Sequence, residues 1–231
     1  MKFNTTVALL TLVLAMPTIA VPVVARAGWT GDIEGGTVVQ GDSNGSLVRF
    51  KMSNSERPLS QQIYADWIRG NSGGNSYEIG YLPRYWFSDQ IYAFGDASLR
   101  TAKVEDIDQQ RNLFAGLGIQ LLNTATTTLY AEAGAGQSST KFRTAGVLDQ
   151  DTDSTIARVG ASQVLTGLFK LELDGDYSTS DVLDKTTAEA GISFRVPGGA
   201  IKYIYRTINT KRPEQPAVDT TDSFVSFSYS F

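Results

Sequence analysis

The sequence predicts an all-β fold: a transmembrane, antiparallel, up-and-down β-barrel of about twelve strands. Three observations predict it. In 221–231, Val225, Phe227, Tyr229 and Phe231 share one parity and Ser226, Ser228 and Ser230 the other, and strand side chains alternate faces with a period of two. Similar segments recur down the chain, each near the ~9–11 residues that a tilted membrane strand needs. Most of them carry charge on the face opposite the bulky one, and aromatics gather near segment ends (Trp29, Tyr85, Phe87, Tyr203, Tyr205, Tyr229, Phe231), as an interfacial girdle requires.

Residues 1–27 read as a secretory signal. Lys2 supplies the positive start, 7–20 is apolar apart from its polar Thr11 and Thr18 and interrupted by Pro17, and Ala25-Arg26-Ala27 is an A-x-A cleavage site. Removing these 27 residues from 231 leaves 204, the expected single barrel domain at 28–231. It also takes away Lys2 and Arg26, so that 18 bases face 24 acids, a net charge of −6. An acidic balance argues against nucleic acid as a partner. No other stretch approaches the length of an apolar spanning helix.

The strand-like segments start near Trp29, Gly45, Gln61, Tyr77, Ile91, Asn112, Thr127, Thr155, Leu168, Thr186, Ala200 and Thr221. The early ones alternate weakly: Val48, Phe50 and Met52 oppose Arg49 and Lys51, and Ile63, Ala65 and Trp67 oppose Tyr64 and Asp66. The segment near Asn112 is cleaner, with Leu113, Ala115, Leu117, Ile119 and Leu121 on one face. Phe169, Leu171 and Leu173 oppose Lys170, Glu172 and Asp174. Ala188, Ala190, Ile192, Phe194 and Val196 oppose Glu189, Ser193 and Arg195, and Ile201, Tyr203 and Tyr205 oppose Lys202 and Arg206. Connections at 88–90, 123–126, 166–167 and 197–199 are short. Those at 70–75, 103–110, 143–154, 178–185 and 210–222 are longer and polar, the asymmetry of an outer-membrane barrel. The connection 53–60 is longer than its side predicts, with room for a strand extension. Pairing the first two segments differently gives ten strands. A soluble β-sandwich or lipocalin-like barrel shows the same alternation with its bulky face turned inward.

The chain has no cysteine and no histidine. Disulfides, thiol chemistry and Cys- or His-built metal sites are excluded, as is histidine-based catalysis. No cofactor and no metal site is expected. Asp174 and Asp176 share a strand face, but without a histidine or a placed nucleophile they do not make an active site. The acids of 148–154 resemble half a calcium loop, yet Ser154 and Gly160 stand where the loop glycine and the bidentate glutamate belong. No Gly-Lys-Ser/Thr follows the glycine-rich stretches.

If the bulky face meets lipid, the lumen takes the other parity. Ten acids then point inward: Asp32, Glu34, Asp66, Glu78, Asp96, Glu132, Glu172, Asp174, Asp176 and Glu189. So do nine bases: Arg49, Lys51, Arg84, Arg100, Arg158, Lys170, Arg195, Lys202 and Arg206. Facing lipid, each Arg or Lys would cost roughly 2–4 kcal/mol near the midplane. The candidates for selecting a solute are Arg49, Arg84, Asp96, Arg100, Glu132, Arg158, Glu172, Asp174, Glu189, Arg195, Lys202 and Arg206. Inward Gly116, Gly118, Gly134, Gly136, Gly160 and Gly191 leave space on one sector, whereas Tyr64, Trp86, Tyr92, Phe94, Phe114 and Tyr130 narrow the lumen. Two functions fit: a narrow passive channel for small polar or ionic solutes, or a non-conducting envelope barrel whose lumen is plugged by ion pairs. A barrel enzyme acting on lipid is the third class.

Two resemblances add to this. The ending with Phe227, Tyr229 and Phe231 resembles the carboxy-terminal signal read by the barrel-assembly machinery, which makes that machinery a partner. From Tyr81 onward, Tyr92-Ala93-Phe94-Gly95, Ala115-Gly116-Leu117-Gly118 and Ala131-Glu132-Ala133-Gly134 are similar to the core of the salt-induced outer-membrane protein family, a domain of unknown function. The opening WTGDIEGGTVVQGDSNGS and the tail TTDSFVSFSYSF fit its first hairpin and closing strand. The resemblance implies a barrel in a bacterial outer membrane, in contact with the bilayer. It implies no substrate, catalytic residue or cofactor. Acidic outer loops with Glu105, Asp106, Asp108, Asp181 and Asp184 read most plainly as a solvated, protease-resistant rim, with the holding of divalent ions that bridge lipopolysaccharide as the alternative.

Overall fold

The computed structural model describes residues 28–40, 43–70, 75–103, 106–144, 149–181, 183–212 and 217–231. The expected secretory signal and Glu105 lie outside them. Twelve strands follow in order: β1 (Trp29–Gln40), β2 (Ser43–Asn54), β3 (Leu59–Gly70), β4 (Asn75–Trp86), β5 (Ile91–Ala102), β6 (Ile107–Asn123), β7 (Thr127–Phe142), β8 (Gln150–Val164), β9 (Phe169–Ser180), β10 (Asp184–Val196), β11 (Gly199–Lys211) and β12 (Val218–Ser230). Each pairs antiparallel with its sequence neighbours, and β1 pairs with β12, so the sheet closes into a barrel. Closure leaves no open edge, which a hydrocarbon environment requires. The weakly alternating β1 and β2 pair over their whole length, from Trp29↔Asn54 to Gln40↔Ser43, and this excludes the ten-strand arrangement.

The strands run further than the alternation predicts. β6 has 17 residues, β7 16 and β8 15, and 107–110 and 150–154 of the predicted loops 103–110 and 143–154 belong to β6 and β8. Asp151 and Asp153 therefore lie in a ladder, opposite Ser139 and Gln137. Beyond the membrane both faces of a strand are wet, so the apolar period fades while backbone pairing continues. Hydrophobic alternation marks where the wall meets lipid, not where the ladder ends. The predicted connection 53–60 shrinks for the same reason to 55–58, held by Asn54 Oδ1, which accepts the Glu56 N–H at 2.8 Å. At one two-residue turn, β10 ends at Val196 and pairs it directly with Gly199. Pro197 and Gly198 make the corner, Gly198 at φ 82°, the conformation that the third residue of a type II turn needs.

The outer face is the bulky one. Leu113 and Leu117 are 65% and 61% exposed, Leu173 57% and Tyr229 52%. A soluble barrel does the reverse. Trp67, Tyr77 and Tyr177 stand toward one rim and Tyr85, Phe87, Phe169 and Tyr229 toward the other, all exposed. Outside the hydrocarbon these are the positions of aromatic girdles. A register shift between Gln120 and Leu122 turns both Leu121 and Leu122 outward, an effect of an extra residue in one strand.

Closure ends on Phe231. Its N–H donates to Gly31 O at 2.9 Å, and the Gly31 N–H donates to Phe231 O at 3.0 Å. The Phe231 ring lies where a side chain on Gly31 would stand. Phe231→Ala keeps both backbone bonds and removes the ring. We expect slower closure and a loss of about 1 kcal/mol from the apolar area exposed. The rate at which the folded, heat-modifiable gel band appears during refolding into vesicles tests this. An unchanged rate and stability would show that the ring plays no part in closure.

Candidate functional site

The lumen is built from the opposite parity of every strand. On one wall β4, β5, β6 and β8 contribute Leu82, Tyr92, Phe94, Phe114 and Ile156, a buried cluster with Trp86 packed against it. A second cluster joins Val38, Leu47, Ile204 and Phe224 from β1, β2, β11 and β12. These rings change the meaning of the inward glycines. A Cβ on Gly116 would stand 2.7 Å from Phe94 Cε1, and one on Gly134 3.0 Å from Phe94 Cζ. Tyr92 covers Gly118 and Tyr130 covers Gly160 in the same way. At Gly136 the space is taken by the backbone of β6. The predicted open sector is therefore a lined wall: four of the six glycines are seats for aromatic rings of nearby strands, the arrangement known as aromatic rescue. Gly191 alone of the six stays loosely surrounded, its nearest neighbour Ile204 at 3.5 Å.

All nineteen charges predicted to face inward line the hollows of the barrel. Asp222 and Lys185 join them, so eleven acids oppose ten bases. Both fell in segments read as loops. The Asp222 parity with Ser226 and Ser228 was the signal that could have found it, since β12 starts at Val218.

Most of these charges are paired. Arg49 on β2 donates two hydrogen bonds to the Glu189 carboxylate on β10, both at 3.1 Å. The two strands are four places apart around the ring, so this pair is a chord through the lumen. Arg49 also sits 3.4 Å from Asp66. Arg84 Nε donates to Glu132 Oε1 at 2.8 Å across three strand places, and Tyr92 Oη donates to the same oxygen at 2.9 Å. Arg158 is a hub: it binds Asp96, lies 3.6 Å from Glu132 and 3.5 Å from Asp176. Arg206 donates to Asp222 at 2.6 Å and stacks over Phe224. Arg100 reaches Glu78 at 4.0 Å and donates to Gln110, Lys202 reaches Glu34 at 3.4 Å, and Lys170 reaches Glu172 at 2.5 Å. Arg195 lines the mouth beside the short turns, and Asp174 accepts a long hydrogen bond of 3.4 Å from Tyr130 Oη.

Between the clusters lie two hollows. One, about 980 Å³, reaches the rim of short turns at 164–169 and 196–200. The other, about 460 Å³, reaches the opposite rim at Asn75, Ala102 and Thr220. Ten residues line both and form the ring where they meet. Its charges are Arg49, Lys51 and Arg158 against Asp66, Asp174, Asp176 and Glu189.

A closed twelve-strand sheet, apolar and aromatic outside and charged inside, defines a transmembrane barrel of the outer-membrane type. Solved structures of low sequence identity share this fold. The NanC porin matches with a TM-score of 0.58 at 8% identity, over 86% of this chain and 98% of that one. An outer membrane channel from Pseudomonas putida F1 matches with 0.56 at 8%, over 88% and 96%. The KdgM porin, solved in complex with disordered oligogalacturonate, matches with 0.52 at 13%, over 87% and 99%. No curated protein matches the sequence. The family described as protein of unknown function, DUF481, matches residues 48–231, and the chain belongs to it.

Proposed function

We propose that this barrel sits in a bacterial outer membrane as a narrow passive channel for small polar or ionic solutes. The observation that carries the proposal is the pair of hollows, one open to each rim and sharing a polar wall. A wall of nearly balanced charge replaces part of a solute's hydration without binding either sign strongly, as conduction needs. The named function of the porins of like fold agrees with this. Lipopolysaccharide around the outer rim, and the barrel-assembly machinery acting on Phe227, Tyr229 and Phe231, are the proposed partners. Resemblance to the salt-induced family adds production that rises with external salt, read as transcript level across a salt series.

A second reading, a plugged barrel that braces the envelope, is favoured by the Arg49–Glu189 chord. Conductance of the refolded protein in a planar bilayer, with reversal potential in a salt gradient, separates the two. The channel reading expects discrete steps of measurable selectivity in the wild type. The double variant Arg49→Ala, Glu189→Ala removes both ends of the chord together, at the cost of the Asp66 contact with Arg49, and should give larger steps. A silent wild type beside a conducting double variant would establish the plugged barrel.

A further inference from the structure

Within the shared ring two opposite charges face each other unpaired. Lys51, on β2, is exposed to the lumen, and its ammonium has no hydrogen-bond or ion-pair partner within 4.0 Å among the described residues. The register places Asp32 beside it, but the two charges lie more than 4.0 Å apart, and Asp32 accepts a hydrogen bond from Ser230. Asp174, on β9, lines the same ring. β9 lies five strand places from β2 in a ring of twelve, nearly diametric. Asp174 is also exposed, and the one hydrogen bond of its carboxylate among the described residues is the long one from Tyr130. The flanking charges are spent differently: Arg49 is clamped by Glu189 and Asp66, and Arg158 by Asp96, Glu132 and Asp176. Each of these guanidiniums is held by more than one carboxylate, so Lys51 is the ring's one cation, and Asp174 its one acid, without an opposite charge within 4.0 Å among the described residues. The unpaired Lys51 and Asp174 therefore set a field across the pore at its shared ring.

We propose that this ring selects small zwitterions, which cross with the carboxylate toward Lys51 and the ammonium toward Asp174. The inference rests on the channel reading and names its solute class. A lone anion or cation meets one favourable wall and one hostile one. A neutral solute gains no orientation energy, while a zwitterion satisfies both walls at once.

The test uses four size-matched probes in osmotic swelling of proteoliposomes, corrected for empty liposomes: glycine, the uncharged glycolamide, the cation glycinamide and the anion glycolate. Glycine should enter roughly fivefold faster than glycolamide, the ratio for about 1 kcal/mol, the attraction of two unit charges ~4 Å apart in water. Lys51→Met and Asp174→Asn should each bring that ratio to about one. The exchange Lys51→Asp with Asp174→Lys reverses the field and should restore the preference, since a zwitterion can turn round. A restored preference also shows that the variant barrel is folded. Equal entry of all four probes through wild-type protein would overturn the zwitterion inference and leave the channel standing. Entry of none, with the protein folded by heat-modifiability, would overturn both. Loss of preference in the exchanged variant, folded and permeable to glycolamide, would overturn the orientation mechanism.

Discussion

Glu132→Ala is expected to destabilise the barrel by about 3–5 kcal/mol, the cost of leaving a buried charge without its partner. The Glu132 side chain is 1% exposed, and it holds three strands through one carboxylate. Arg84 and Tyr92 both donate to Oε1, and Arg158 approaches Oε2 at 3.6 Å. Arg158 keeps Asp96 and Asp176 when Glu132 is lost. Arg84 has no second carboxylate within 4.0 Å among the described residues, so the penalty falls on its guanidinium. Glu132→Gln keeps an acceptor for Tyr92 and Arg84 and should cost less. Urea unfolding of the vesicle-inserted protein, followed by tryptophan fluorescence, measures both. Alanine and glutamine variants within 1 kcal/mol of the wild type would show that the lumen is wet enough to solvate Arg84.

Gly116→Ala is expected to impair folding by about 3 kcal/mol or more, the upper end of the cost of overfilling a packed site. The added methyl would stand 2.6 Å from Gly134 Cα and 2.7 Å from Phe94 Cε1, with the Ala133 carbonyl closer still. Phe94 has rotamers to explore, but the backbone of β7 is fixed by its ladder with β6. Gly191→Ala is the control. Its new methyl meets nothing nearer than Ile204 at 3.5 Å, so it should leave the yield of folded protein unchanged. A folded yield equal for both variants would mean that β6 and β7 can part at Gly116 without cost.

Parity was legible throughout. Arg49, Glu132 and Glu189 were assigned to the lumen from their neighbours two residues away, because side-chain direction in a strand is a local property. Strand ends were not legible. In β6 to β8 the polar residues that cap the alternation still pair, and no apolar period remains to report it. Phe224 and Leu47 escaped notice because a lone apolar residue on the charged parity looks like an irregularity until a second one meets it across the ring.

The sequence by itself determined a wall of strands with an apolar face, a nearly neutral charged face and no histidine or cysteine chemistry, since composition and a period of two need no partner strand to be read. Tertiary structure alone decided what those inward residues do. Arg49 and Glu189 are 140 residues apart, and Lys51 faces Asp174 across five strand places only because β1 closes on β12 in one register. Gly116 and Phe94 likewise become one packed site through the pairing of β5 with β6. Closure and register bring distant positions within ångströms of each other, and neither is written in the spacing of residues along a single strand.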